Sequence, residues 1–251
     1  MLTLSALILA LPAAALPQDR VQYTDGSFRS GKVVSATLDE VKLDSDGQES
    51  TSSASDVLTI RFGALPTSMA QAEEFLTGLE FQNAVNLFDA ATAEAEPAAT
   101  LAGLRKAEAL LAWSELDSAQ AGAAVEAFRA WIAAHADHFF LPRARTGLAR
   151  ATANSGQLEQ AAKELEDVAS LAFEKSLPAT VEFQARLARC QIYLGGGQTG
   201  VAATRLQDLV PKMQRSMSSS DTPAGVRSSL RGMIAEGQVL LGDAIEVDQG
   251  M

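Results

Sequence analysis

The chain has 251 residues, of which 47% are hydrophobic, 20% charged and 6% aromatic, and its apolar content is largely alanine and leucine, a mixture that favours closely packed helices over strands. A formal net charge of −11 disfavours nonspecific attraction to nucleic acid or anionic lipid. With 2 His and 1 Cys, a disulfide within the chain is excluded and little is left for metal or thiol chemistry.

A run from Leu2 to Leu11, apolar but for Thr3 and Ser5, is followed by Pro12 and Ala13-Ala14-Ala15. This is the apolar core and small-residue cleavage pattern of a secretory signal peptide over residues 1–15, although no Lys or Arg precedes it. Leu2 to Leu16 falls short of the roughly 20 residues that span a bilayer. A lipoprotein cysteine would have to lie just after this run, and the lone cysteine is Cys190. The expectation is an exported protein with no stable membrane anchor after cleavage, periplasmic in a two-membrane cell.

Residues 19–63 are strand-like. Val21-Gln22-Tyr23 alternates, Asp25-Gly26 is a hairpin signal, and Ser27 to Thr37 carries Gly31, where a strand can bend or bulge. Val41-Lys42-Leu43 leads to a second turn at Asp46-Gly47, and a polar stretch from Gln48 to Ser55 precedes a strand over Val57 to Phe62. Four or five short strands in so few residues predict a small, strongly bent β-barrel that leans on the remainder of the chain.

After Pro66 the strand signals vanish and helical periodicity takes over. A spacing of small-xxx-large-xx-apolar recurs at Ala84/Phe88/Ala91, Ala124/Phe128/Trp131, Ala161/Leu165/Val168 and Ala202/Leu206/Leu209, its leading alanines 40, 37 and 41 residues apart. A small residue lets a neighbouring helix approach, and residues four and seven positions later share its face. Gly156 and Gly197 stand where a turn joins two helices; the first unit has Leu79 there. Such hairpins cannot bury their apolar faces alone and must stack. The fold class expected is therefore α+β in separate modules: a mainly all-α helical-hairpin solenoid of four units over residues 66–215, capped by a helix over 223–248 and preceded by the small β-barrel.

These repeats resemble tetratricopeptide repeats, with spacings longer than that family's usual length of about 34 residues. The nearest flavour is that of bacterial envelope proteins, in which a segment such as His135 to Ala144 links successive units. The strand module resembles, more faintly, the Sm-like or SH3-like small barrel through Val21, Asp25-Gly26, Gly31-x-Val33 and Ile60. RNA-binding members of that family place an asparagine where this chain has Leu38-Asp39-Glu40-Val41. With five basic residues against eight acidic from Asp19 to Arg61, RNA is not an expected partner.

Candidate chemistry is sparse. His135 and His138 flank Asp137, a spacing that on a helix can aim two imidazoles and a carboxylate at one metal, but Glu is missing from the position a zinc-protease motif needs. Solvated loop histidines are the competing reading. Cys190 lies at a small-residue position facing a second helix, which predicts a buried, inert thiol. Gly195-Gly196-Gly197 lacks the Lys-Ser/Thr ending of a phosphate loop, and no Gly-x-Ser-x-Gly elbow occurs. No catalytic residue and no cofactor is expected.

The resemblance implies a concave surface lined by the first helix of each hairpin, where a partner segment binds. The repeat register places Glu73, Lys106, Trp113, Arg143, Arg150, Asn154, Gln184 and Gln191 on it, and Trp113, Arg143, Arg150, Asn154, Gln184 and Gln191 are the candidate partner-binding set, since Trp and Arg dominate interface energetics. The alternative is that Trp113 packs in the core and the arginines pair with local acids. The Lys and Asn clamp by which chaperone-binding repeats hold a terminal carboxylate is not recovered; comparable positions hold Met69, Ala109, Thr146 and Leu187. The function expected is a non-catalytic scaffold in the cell envelope with an unidentified protein partner. The alternatives are a metal-dependent hydrolase using His135, Asp137 and His138, or recognition of a cell-wall polymer through Tyr23, Phe28 and Phe62.

Overall fold

A computed structural model describes residues 18–63 and 65–248; the expected signal peptide lies outside the described residues. Five antiparallel strands come first: β1 (Asp19–Tyr23), β2 (Phe28–Ala36), β3 (Glu40–Ser45), β4 (Gln48–Ser53) and β5 (Val57–Arg61), in the order β4-β3-β2-β1-β5. Strand β2 bends the sheet. Its first half pairs with β1 and its second half with β3, with a register shift between Val33 and Ser35. Val21, Val33, Val41, Leu43, Val57 and Ile60 are buried on the inner side of the bend, and the Tyr23 hydroxyl on β1 reaches Ser52 Oγ on β4 at 3.2 Å. Among the described residues no ladder joins β4 to β5, so the module is a bent sheet with two edges. Strand β4, which sequence alone marks only as a polar stretch, pairs along its whole length with β3. Its exposed Gln-Glu-Ser-Thr-Ser-Ser run has no apolar alternation because it is an edge with little to bury.

Nine helices succeed the sheet among the described residues: α1 (Thr67–Thr77), α2 (Phe81–Ala91), α3 (Ala98–Leu116), α4 (Ala121–Ala134), α5 (Leu141–Asn154), α6 (Leu158–Glu174), α7 (Ala179–Gly195), α8 (Thr199–Ser218) and α9 (Ala224–Asp248). Each packs antiparallel-fashion on the next in the chain, and α3, α5, α7 and α9 also touch in succession. That is a helical-hairpin solenoid with the odd-numbered helices side by side on one surface. The repeat spacing explains it residue by residue. Ala84, Ala124, Ala161 and Ala202 are completely buried, as are Phe88, Phe128 and Leu206, with Leu165 1% exposed. These alanines hold the paired helices close while the large residues four positions on fill the space between hairpins.

Four of the turns between helices share one device. Glu80 N–H donates to Phe75 O, Gln157 to Thr152, Leu177 to Ala172 and Gln198 to Tyr193, each at 2.8–3.1 Å, the six-to-one bond of a helix closed by a left-handed residue. Gly156 (φ 85°) and Gly197 (φ 74°) supply that conformation freely, whereas Leu79 (φ 60°) adopts it against its Cβ. Leu79 is 63% exposed, so its side chain recovers little by burial. We expect Leu79→Gly to raise stability by about 1 kcal/mol, seen as a higher urea midpoint at unchanged slope; a lower midpoint would show that the Leu79 side chain has a packing role.

The sheet is seated on the stack at two places. At one end, Leu38 N–H donates to Asp137 O (2.9 Å) and Phe139 N–H to Ala36 O (3.1 Å), so the β2–β3 turn pairs with the linker between α4 and α5. Lys175 at the end of α6 adds an ion pair to Asp39 at 2.9 Å. At the other end, Gly225 and Val226 N–H at the start of α9 donate to Thr24 O at 2.8 and 3.3 Å. Leu58 packs with the apolar cluster of α7–α9, while Phe62 meets Phe140 edge-on at 6.3 Å. The sheet thus spans the stack from its middle to its last helix.

Candidate functional site

The span creates a partly roofed, half-open groove. Between the sheet and the odd-numbered helices lies a cavity of about 780 Å³, a size that suits ligand binding. Helices α3, α5 and α7 make its floor, Phe139, Phe140, Leu177 and Pro178 its sides, and Gln22, Leu58 and Thr59 of the sheet its roof. Main-chain bonds at both ends hold the sheet over the helices, and the register shifts at Gln22/Tyr23 where β1 meets β5.

Charge on the floor is arranged as rungs between neighbouring helices. Arg105 on α3 grips Glu73 on α1 through Nε (2.7 Å) and Nη2 (2.5 Å), and gives Nη1 to Glu108 at 2.5 Å. Burial works against the Arg105 charge, but the carboxylates of Glu73 and Glu108 outweigh it and its pKa is raised. Arg143 on α5 forks onto Glu108 through Nε and Nη2, both at 2.6 Å, and Arg150 gives Nη2 to Glu115 at 2.8 Å. With Arg143 and Arg150 46% and 48% exposed, each of these outer pairs contributes at most about 1 kcal/mol. They set orientation more than stability.

Of the candidate partner-binding residues, Arg143, Arg150 and Gln184 border the cavity. Trp113 is half-buried, stacked on Phe81 with ring centroids 6.2 Å apart. Asn154 donates to Ser114 Oγ at 2.8 Å, and Gln191 to Glu236 Oε1 at 2.7 Å. These three serve helix-to-helix contacts outside the cavity lining. Lys106, placed by the repeat register on the inner surface, turns the other way: its Nζ pairs with Asp89 on α2 at 2.5 Å and borders a smaller cavity of about 350 Å³. Arg105, one residue earlier, takes the inward position; a shift of one residue is 100° around a helix. Gln22, Leu58 and Thr59 were invisible to pattern reasoning, because their place over the groove depends on how two modules dock.

The histidine cluster is engaged elsewhere. His135 has Nε2 3.1 Å from Thr100 Oγ1 and Nδ1 2.9 Å from Trp131 O. His138 accepts the Phe140 N–H at Nδ1 (3.1 Å) and lies edge-on to Trp131 and tilted on Phe140. Burial, and then the His135 charge, push its pKa down to about 4 against a weaker pull from Glu96. Among the described residues no set of three His, Cys, Asp or Glu side chains is placed to share a metal ion. Cys190 is buried between α7 and α8, and desolvation pushes its thiol up to about 11, the opposite of a nucleophile. Of the three rings considered for sugar recognition, Tyr23 is buried and Phe62 packs on Phe140, while Phe28 is exposed beneath Arg20. No helix among the described residues is long and apolar enough to cross a membrane.

No protein-family model matches the chain, and comparison with curated proteins returns no relative. Among solved structures it is similar to a kinesin light chain of Podosopora anserina described as having nearly identical TPR-like repeats, with 21% identity and a TM-score of 0.47 over 72% of this chain and 93% of that one. A single-substitution form of the same protein gives the same identity and TM-score over 73% and 95%. The hairpin solenoid described above rests on this chain's own packing.

Proposed function

We propose that the protein is a non-catalytic interaction scaffold of the cell envelope that holds a segment of a partner protein in the roofed groove. The observation that supports it best is the cavity itself: a concave helical floor carrying arginine–glutamate rungs, roofed in part by the protein's own sheet. The groups that chemistry would call on are spent on structure. The Cys190 thiol is buried, both His135 nitrogens have partners, and His138 is held neutral. The envelope location rests on the sequence pattern of residues 1–15.

Crosslinked affinity capture from envelope extract tests this, with the chain from Leu16 as bait and an Arg143→Ala/Arg150→Ala form as comparison. One protein enriched by the first bait and depleted at least about tenfold with the second is the expected result. Equal enrichment by both baits would move the contact off the groove, and no enrichment would sink stable scaffolding.

A further inference from the structure

We infer that the segment taken by this groove is an extended strand carrying an acidic side chain, set against Arg150 on the floor and hydrogen-bonded along its main chain by Gln22, Thr59 and Gln184. This rests on the scaffold reading and names the chemistry of its partner. Three arginines border the cavity, and Arg150 is the least engaged of them. Arg105 uses Nε, Nη1 and Nη2 on Glu73 and Glu108, and Arg143 uses Nε and Nη2 on Glu108. Arg150 makes one bond, Nη2 to Glu115. A guanidinium has five N–H donors in a fork that fits a carboxylate, and this one is 48% exposed at the cavity. A partner's carboxylate can therefore join Arg150 without displacing Glu115. Glu73, Glu108 and Glu115 balance the three arginines in charge, so the attraction for an acidic side chain comes from the spare N–H donors of Arg150 and is local to it.

The rest of the lining decides the conformation. Gln22 and Thr59 hang from the roof and Gln184 stands on α7; none of the three makes a side-chain hydrogen bond within the described chain. A helical segment satisfies its own main chain and would leave these groups nothing but side chains to meet. An extended segment arrives with unpaired N–H and C=O groups, which two amides and a hydroxyl on opposite walls can satisfy. Leu58, Leu111, Phe139 and Val181 border the same space and take the apolar side chains that alternate along such a strand.

The test is selection of a displayed library of random linear peptides on the full chain, followed by fluorescence anisotropy with synthetic copies of the enriched peptides. We expect Asp or Glu at one fixed position and a loss of about tenfold in affinity with Arg150→Ala. Selection on Arg150→Glu should enrich Lys or Arg at that same position. Methylation of single peptide nitrogens and the Gln22→Ala/Thr59→Ala form should each weaken binding, with the far-UV circular dichroism and thermal midpoint of the protein unchanged. Enriched peptides that need no acidic residue, ignore Arg150→Ala, or bind as helices indifferent to N-methylation would overturn this inference and leave the scaffold reading standing. If no peptide is enriched, segment binding in the groove falls as well.

Discussion

Gly147→Ala destabilises the protein by about 3 kcal/mol, lowering the thermal midpoint by roughly 10 °C. In an ordinary helix interior the same change stabilises by about 1 kcal/mol, because alanine restricts the unfolded backbone and favours helix. Here α5 crosses α4 so closely that an added Cβ would stand 2.3 Å from Phe128 Cζ and 2.4 Å from Cε1. Phe128 is completely buried in the main core, and its ring has no solvent side to swing towards. A close-packed interior relieves such a clash only by backbone shift or an off-rotamer side chain. The companion change is Phe128→Leu, which shortens the offending ring and by itself leaves a partial cavity. The double form Gly147→Ala/Phe128→Leu should be more stable than the sum of the two single effects predicts, by about 1–2 kcal/mol. Additive losses would show that Gly147 matters for the backbone and not for the Phe128 contact.

Stability also falls on mild acidification through His138. Burial holds its folded pKa at about 4, below the ordinary 6.5. Between those two values the unfolded chain binds a proton that the folded chain refuses. The contribution of neutral His138 is therefore complete above about pH 6.5, declines as pH falls, and is lost by pH 4, an effect of up to ~3 kcal/mol. Its ring is walled by Trp131 and Phe140, with the His135 ring beside it and Glu96 as the opposing charge. Protonation also removes the acceptor that Nδ1 offers to the Phe140 N–H. The carboxylates of Asp25 and Asp208, whose pKa values are lowered below 3.8 by hydrogen bonds to Ser27 and Lys212, lose their contributions below that value, outside this window. Denaturant unfolding at pH 7, 5.5 and 4 measures the slope. His138→Asn keeps an acceptor near the Phe140 N–H and cannot titrate, so its stability should be nearly flat from pH 6.5 to 4. An equally steep fall in that variant would place the titrating group elsewhere. Because His138 bridges to Thr37 and its neighbours Asp137 and Phe139 bond to Leu38 and Ala36, hydrogen exchange should rise first around the β2–β3 turn.

The sequence by itself determined the helical hairpins, their order and their buried face. Ala84/Phe88, Ala124/Phe128, Ala161/Leu165 and Ala202/Leu206 pair without any tertiary information because helix periodicity is local: positions four apart share a face whatever surrounds them. The turn at Asp46-Gly47 was legible for the same reason, as two consecutive residues at positive φ (56° and 85°) suit Asp-Gly. The inertness of Cys190 came from a small-residue position on the same repeat.

Tertiary structure alone decided what closes the repeat stack. Seating the sheet takes main-chain bonds between residues about 100 and 200 positions apart, Ala36 with Phe139 and Thr24 with Gly225, and main-chain groups are identical in every residue type. Nothing in the order of side chains therefore announces the roof, or the part Gln22 and Thr59 play in it. Strand β4 escaped for a related reason: its pairing with β3 is carried by main chain while its side chains stay wet. The inner face was legible only to within a residue, so Arg105 took the place assigned to Lys106, and Trp113 turned to stack on Phe81. The width of a helix face is read from a handful of apolar positions, whereas the 100° between neighbouring residues is settled by whichever carboxylate or ring the adjacent helix presents.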